Sequence, residues 1–190
     1  MPLLIVAGAI ALFVIVVMLA IYNRFVRLRN LVRESWRDID TELQRRYDLI
    51  PNLVSTVQGY ADHESTVLRA VTSLRVDAMA ARRPPDAQAE REQALGVGVS
   101  QVMALAEQYP DLKASTQFLD LQHQLADTED RIQVARRIYN ANVRSFDTMV
   151  DSFPSALVAR LFGFTVQPYF EVEPAVRDSG PPSVDLSDQR

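Results

Sequence analysis

The sequence predicts an all-α protein in which an N-terminal transmembrane helix leads into an elongated antiparallel helical bundle of the four-helix-bundle type. Three observations predict it. An uncharged run from Leu3 to Ile21 (LLIVAGAIALFVIVVMLAI) opens the chain, apolar or small residues then recur in steps of three and four from Phe25 to Ala78, and a second stripe of the same period runs from Phe118 to Val150. That spacing marks a helix burying one face, because a strand would alternate every second residue. A long helix cannot bury its stripe against itself, so the rest of the chain must fold back along it.

The residues from Leu3 to Ile21, at about 1.5 Å each, would extend roughly 28 Å, which matches the hydrocarbon core of a bilayer. A buried core helix rarely stays apolar on every face at this length. A cleavable signal peptide normally has a basic n-region and a small-x-small cleavage site closing the apolar run, and neither is present. The reading is a retained anchor over residues 1–23. Arg24, Arg27, Arg29 and Arg33 follow the span, and acids begin only at Glu34. Arginines beside a span favour the cytoplasmic side, so the N-terminus is expected outside and the bundle inside the cell membrane. Tyr22 stands where an interfacial aromatic belongs.

The first stripe reads Phe25, Leu28, Val32, Ser35, Ile39, Leu43, Tyr47, Ile50, Val54, Val57, Ala61, Leu68, Val71 and Ala78. Nothing between Tyr22 and Arg29 stops a helix, so it is expected to leave the membrane unbroken. At Pro51 two readings compete: a turn between helices with Asp48 as N-cap, or a kink within one long helix. The stripe keeps its phase across the proline and no loop-forming residues surround it, which favours the kink. The first firm stop is Arg82-Arg83-Pro84-Pro85. Asp86 follows as N-cap with Glu90 in the first turn, and the next helix runs to about Gln108 with Leu95, Val99, Val102, Leu105 and Tyr109 inward. Gly96 and Gly98 would permit close approach by a neighbour.

Pro110 and Asp111 open another helix, from about Leu112 to Val150, with Phe118, Leu121, Leu125, Ile132, Ala135, Tyr139, Val143, Phe146 and Val150 on its stripe. Ser152 to Ser155 breaks it. A short amphipathic helix with Leu157, Val158 and Leu161 then ends at Gly163, a residue suited to a left-handed C-cap. Phe162, Phe164, Tyr169 and Phe170 are expected to plug one end of the bundle. Composition shifts to Pro, Ser, Asp and Gly after Glu173, so the bundle is assigned to residues 24–173 and a disordered tail to 174–190.

In 190 residues, an apolar fraction of 48% is ample for one core, and the absence of cysteine excludes a disulfide scaffold, a thiolate metal site and a cysteine nucleophile. The net charge of −4, with arginines and acids interleaved, gives no footprint for nucleic acid. Enzyme signals are thin. A dimetal site in a helical bundle needs two Glu-x-x-His motifs plus further carboxylates, whereas the chain offers only Asp120-Leu121-Gln122-His123, and His63 has Tyr60 three residues before it. Nucleophile-elbow and phosphate-cradling glycine signals are absent, and no cofactor is implied.

Polar residues in the core phase say more. Glu64 and Glu129 fall on the inward stripes, where an acid is costly unless paired, and Arg45, Arg46, Arg136 and Arg137 are candidate partners. With Asp48, Asn52 and Asn140 they form a candidate structural polar layer that would fix helix register. The alternative is that they sit at the stripe's edge and reach water.

Arg45 to Val54 (RRYDLIPNLV), then Val57-Gln58-Gly59-Tyr60-Ala61-Asp62-His63-Glu64, resemble the LemA family. The resemblance continues in Tyr22 to Asn30 (YNRFVRLRN), in Ala135 to Asn140 (ARRIYN) with Val143, and in Phe153-Pro154, Phe162-Gly163-Phe164 and Phe170-Glu171. Phe146-Asp147 departs from a second Tyr-Asn-like position. The resemblance covers the chain from the span to about Glu171. It implies a bacterial single-span membrane protein with an antiparallel helical bundle and a largely undefined molecular function. The family includes a magnetosome protein, and its members are often encoded near membrane proteases or other envelope proteins.

These readings lead to a membrane-anchored scaffold or adaptor, acting through protein contacts and without catalysis. Its expected partners are the lipid bilayer, unidentified membrane or envelope proteins, and further copies of itself. Two other readings stay open: a carboxylate/His metalloenzyme or hydrolase in the bundle core, and an anionic-lipid or curvature-sensing module.

Overall fold

The computed structural model describes residues 1–61, 65–80 and 84–171, and no strand forms among them. The protein is all-α: α1 (Pro2–Gln58), α2 (Ser65–Met79), α3 (Pro85–Ala106), α4 (Pro110–Lys113), α5 (Thr116–Asp151) and α6 (Ser155–Phe162). α1 is a single helix of 57 residues, and its N-terminal part is long and apolar enough to cross a membrane, with none of that apolar window buried in the bundle.

Past residue 24, α1 buries its stripe, with Phe25, Ile39, Ile50, Leu53 and Val57 almost wholly enclosed. α5 runs antiparallel beside it: Phe146 meets Phe25 edge to face at 5.8 Å, Tyr139 lies 5.3 Å from Trp36, and Asp127 pairs with Arg45 at 3.7 Å. α2 folds back along the far end of α1, reaching Tyr47 through Ala78. α3 then turns against α2, where Gln88 bonds the carbonyl of Ala78 and Arg91 bonds Asp77. Four helices therefore pass up, down, up and down, with the core along their shared axis.

α1 continues through Pro51. A proline has no N–H for the carbonyl four residues back, so the carbonyl of Tyr47 is released from the helix ladder. Arg75 of α2 takes it, its Nε donating at 2.7 Å. The proline thus gives the second helix a backbone acceptor to dock on.

The structure corrects four expectations. The stripe from Phe25 to Ala78 is not one helix: α1 ends at Gln58, the chain turns through Gly59 and Tyr60, and α2 resumes the same period in the opposite direction. Periodicity missed this because Val57 before the turn and Ala61, Leu68 and Val71 after it are all buried. Next, α3 starts at Pro85 with Pro84 as N-cap, and Asp86 is in the first turn, since a proline at the first helical position loses no bond. Third, the helix expected from Leu112 is divided, α4 ending at Lys113 and α5 starting at Thr116.

Lastly, the C-terminal aromatics do not form one plug. Phe164 is buried, stacking on Phe25 at 4.6 Å and lying 6.2 Å from Phe146, whereas Phe170 lies higher against Trp36 at 5.5 Å and Phe162 is half exposed beside Tyr22. Val158 faces inward from α6 while Leu157 and Leu161 face out. Gly163 caps α6 in the left-handed region at φ 71°, which tolerates glycine best. Glu64 and residues 174–190, assigned above to the polar layer and the tail, lie outside the described residues.

The segment 163–171 runs from α6 back up along α5, and the ARRIYN motif holds it there. Tyr139 donates its hydroxyl to the carbonyl of Pro168 at 2.8 Å. Asn140 accepts from the Phe170 N–H at 3.0 Å and donates to Glu171 at 2.9 Å. Asp147, at the position that departs from Tyr-Asn, accepts the Gln167 N–H at 3.0 Å. α1, α5 and this strap build the lower half of the molecule, while α1, α2, α3 and α5 build the upper half.

Candidate functional site

The stripe phase of α1 puts Arg46 and Tyr47 side by side facing α3, and the phase of α3 turns Gln88 and Glu92 toward them. All four are buried. Tyr47 donates its hydroxyl to Glu92 Oε1, and Gln88 Nε2 donates to the same oxygen at 2.8 Å and to Tyr47 at 3.2 Å. Arg46 is the counter-charge, with one guanidinium nitrogen 3.6 Å from Glu92 Oε2 and 3.4 Å from Glu129 Oε2. Gly96 makes room for it, because a Cβ there would stand 3.0 Å from Arg46 Nη2. Gly98, two residues on, lets α2 approach: its Cβ would lie 2.8 Å from Leu74 Cδ1.

Burial dominates the electrostatics. It raises the carboxyl of Glu92 above the ordinary glutamate range, although the bond from Tyr47, the Arg46 charge and the bond from Gln88 all pull the other way. The Tyr47 phenol is raised by burial first, then by its hydrogen bond to Glu92, and stays protonated. Through Arg46, which touches Glu92 of α3 and Glu129 of α5, the cluster joins three helices.

Above the cluster an open groove of about 1150 Å³ runs between α3 and α5. Val99 and Met103 on one side and Leu125 and Ile132 on the other give it an apolar lining, Arg46 and Glu92 form part of its floor, and Glu129 and Arg136 stand on the α5 rim. Its lower end is closed by Phe170 and Glu171 of the strap.

Of the residues proposed for the polar layer, Arg46 and Glu129 meet directly and Arg136 shares their groove. Asn140 is buried but works elsewhere, on the strap. Arg45, Asp48, Asn52 and Arg137 face solvent: Arg45 pairs with Asp127 at the surface and Asp48 bonds Gln44, since one step off the inward phase turns a helix side chain about 100° away. Gln88 and Glu92 were missed, yet the signal was there, because they precede Leu95 on α3 at spacings of seven and three. His123 is exposed on α5, and among the described residues no three of His, Asp and Glu stand close enough to share a metal.

Comparison with known proteins adds relatives. The chain is 24% identical over 179 residues to the magnetosome protein MamQ of Magnetospirillum gryphiswaldense, a match covering 81% of this chain and 66% of that protein. MamQ 2 of Paramagnetospirillum magneticum matches to the same extent. The protein LemA of Metamycoplasma hominis is 25% identical over 138 residues, covering 73% of this chain and 63% of the relative. The chain thus spans just under two thirds of the length of the curated relatives it matches. The LemA family model matches residues 35–186, taking in α1 from Ser35 onward and every later helix, and the chain belongs to the LemA family.

Proposed function

We propose that the protein is a membrane-anchored helical-bundle scaffold that acts by holding partner proteins at the bacterial cell membrane, without a reaction of its own. On this reading Leu3 to Ile21 spans the inner membrane, the N-terminus lies outside and the bundle is cytoplasmic. Family membership and the likeness to magnetosome proteins support a membrane setting.

The observation that supports a binding role is the groove between α3 and α5. An amphipathic helix laid into it would set its apolar face on Val99, Met103, Leu125 and Ile132 and its charges against Glu129 and Arg136. The Tyr47–Glu92–Arg46 cluster serves as the floor, with Tyr47 and Gln88 bonded to Glu92 Oε1 and Arg46 paired with Glu92 and Glu129. A partner helix or a second copy of the chain would meet the same surface.

The test uses the full-length protein in its native membrane, with a photo-crosslinking amino acid at Val97 in the groove or at Val76 on the exposed face of α2. The expected result is discrete adducts from Val97, none from Val76, and their loss when Ala126→Arg fills the groove. Equal labelling at the two positions, or none, overturns the proposal.

A further inference from the structure

We infer that α6 is a membrane-contact helix, whose outer side chains rest in the headgroup–acyl boundary of the same bilayer that α1 crosses; this rests on the anchored reading above. α6 is apolar on both faces. Val158 and Ala159 are buried against the bundle, yet Leu157 is 60% and Leu161 65% exposed, and Phe153, in the turn from α5, is 84% exposed. A short helix at the base of a soluble bundle would put polar residues outward, and a contiguous exposed apolar patch marks a surface that something covers.

Two observations say what covers it. First, its height: Phe162 meets Tyr22 at 4.8 Å and Phe164 meets it at 5.9 Å, and Tyr22 directly follows the uncharged run. Met18 and Ile21, inside that run, are themselves partly buried against the core. The base of the bundle therefore overlaps the end of the span, and α6 ends beside it at Phe162. Second, its charges: Arg24 and Arg27, just past Tyr22 on α1, and Arg160 on α6 itself are exposed, at the end of the span where lipid phosphates would lie. Apolar residues inward and cations at the rim are the pattern of an interfacial amphipathic element.

The chain has no cysteine, so single thiols can be placed freely. The full-length protein with Leu157→Cys, Val97→Cys or Val14→Cys is labelled with an environment-sensitive fluorophore and reconstituted into phosphatidylcholine–phosphatidylglycerol vesicles. These hold lipid spin-labelled either near the headgroup or deep in the chain. The expected result is quenching at residue 157 by the shallow label, about threefold or more above that at residue 97 on distant α3, with residue 14 quenched by the deep label. If residue 14 is quenched while 157 behaves like 97, the contact is refuted and the anchor stands. If residue 14 is not quenched, the anchor fails and the contact with it. A shielded residue 157 that lipid does not quench, with disulfide-linked dimers of Leu157→Cys, assigns the patch to a second copy and overturns the inference.

Discussion

The bond from Arg75 to the carbonyl freed by Pro51 predicts a coupling that can be measured. Replacing Arg75 with Met keeps most of the aliphatic stem against α1 but leaves the Tyr47 carbonyl with no donor. The lost bond is charged and partly buried, at 2.7 Å, so the cost is about 1.5–3 kcal/mol. For a chain of this size that is roughly a 3–12 °C fall in Tm, at about 2–4 °C per kcal/mol. In a Pro51→Ala background the new N–H of residue 51 can reclaim the carbonyl, and the same Arg75→Met change should then cost about 0.5 kcal/mol or less. The four proteins form a double-mutant cycle, read by helix melting of the full-length protein in mild detergent, with an interaction energy of about 1–2.5 kcal/mol expected. Additivity within about 0.5 kcal/mol would refute the claim that the proline supplies the docking acceptor.

Other expectations follow from the same contacts. Burial raises the Glu92 carboxyl, so from the ordinary glutamate value near 4.5 upward the folded state holds a proton that the unfolded chain has lost, and stability falls as pH rises through that window. Glu92→Gln removes this slope, and its Tm should climb relative to the parent as pH rises from 4.5; parallel Tm–pH curves would contradict the burial argument. Asn140→Ala deletes the three side-chain bonds that hold Phe170 and Glu171, costing about 1–2 kcal/mol, and limited proteolysis should cut at Tyr169 or Phe170 sooner than in the parent. Topology is open to a direct assay: Ser179→Cys in intact cells should react with an impermeant maleimide only after lysis, whereas labelling before lysis would place the bundle outside.

Most of the architecture was legible because burial imposes a period on the sequence. Every residue of the two long stripes is buried or half-buried, and Gly163 and Pro110 stand where their backbone preferences place them. The turn after Gln58 was not legible for the same reason: antiparallel neighbours around a tight turn share one core, so the period passes through it unchanged. The candidate site was half legible. Glu129 could be placed from phase, with Arg46 only one of four candidate partners, but the Tyr47 hydroxyl counts as apolar in any stripe, and Glu92, though in phase with Leu95, meets its partners only when α2 delivers α3 beside α1. The roles of Tyr139, Asn140 and Asp147 on the strap depend on a chain reversal that no local pattern encodes.

One helix serves both ends of the molecule. At about 1.5 Å per residue, the 57 residues of α1 make a shaft roughly 85 Å long, with neither Gly nor Pro between Gly8 and Pro51. There is no swivel between the part that would sit in lipid and the part that lines the groove floor. A sideways pull on the groove would therefore reach the bilayer as a tilt of the whole shaft, with the base of the bundle as its fulcrum, so load at one end and lipid deformation at the other become two readings of a single angle.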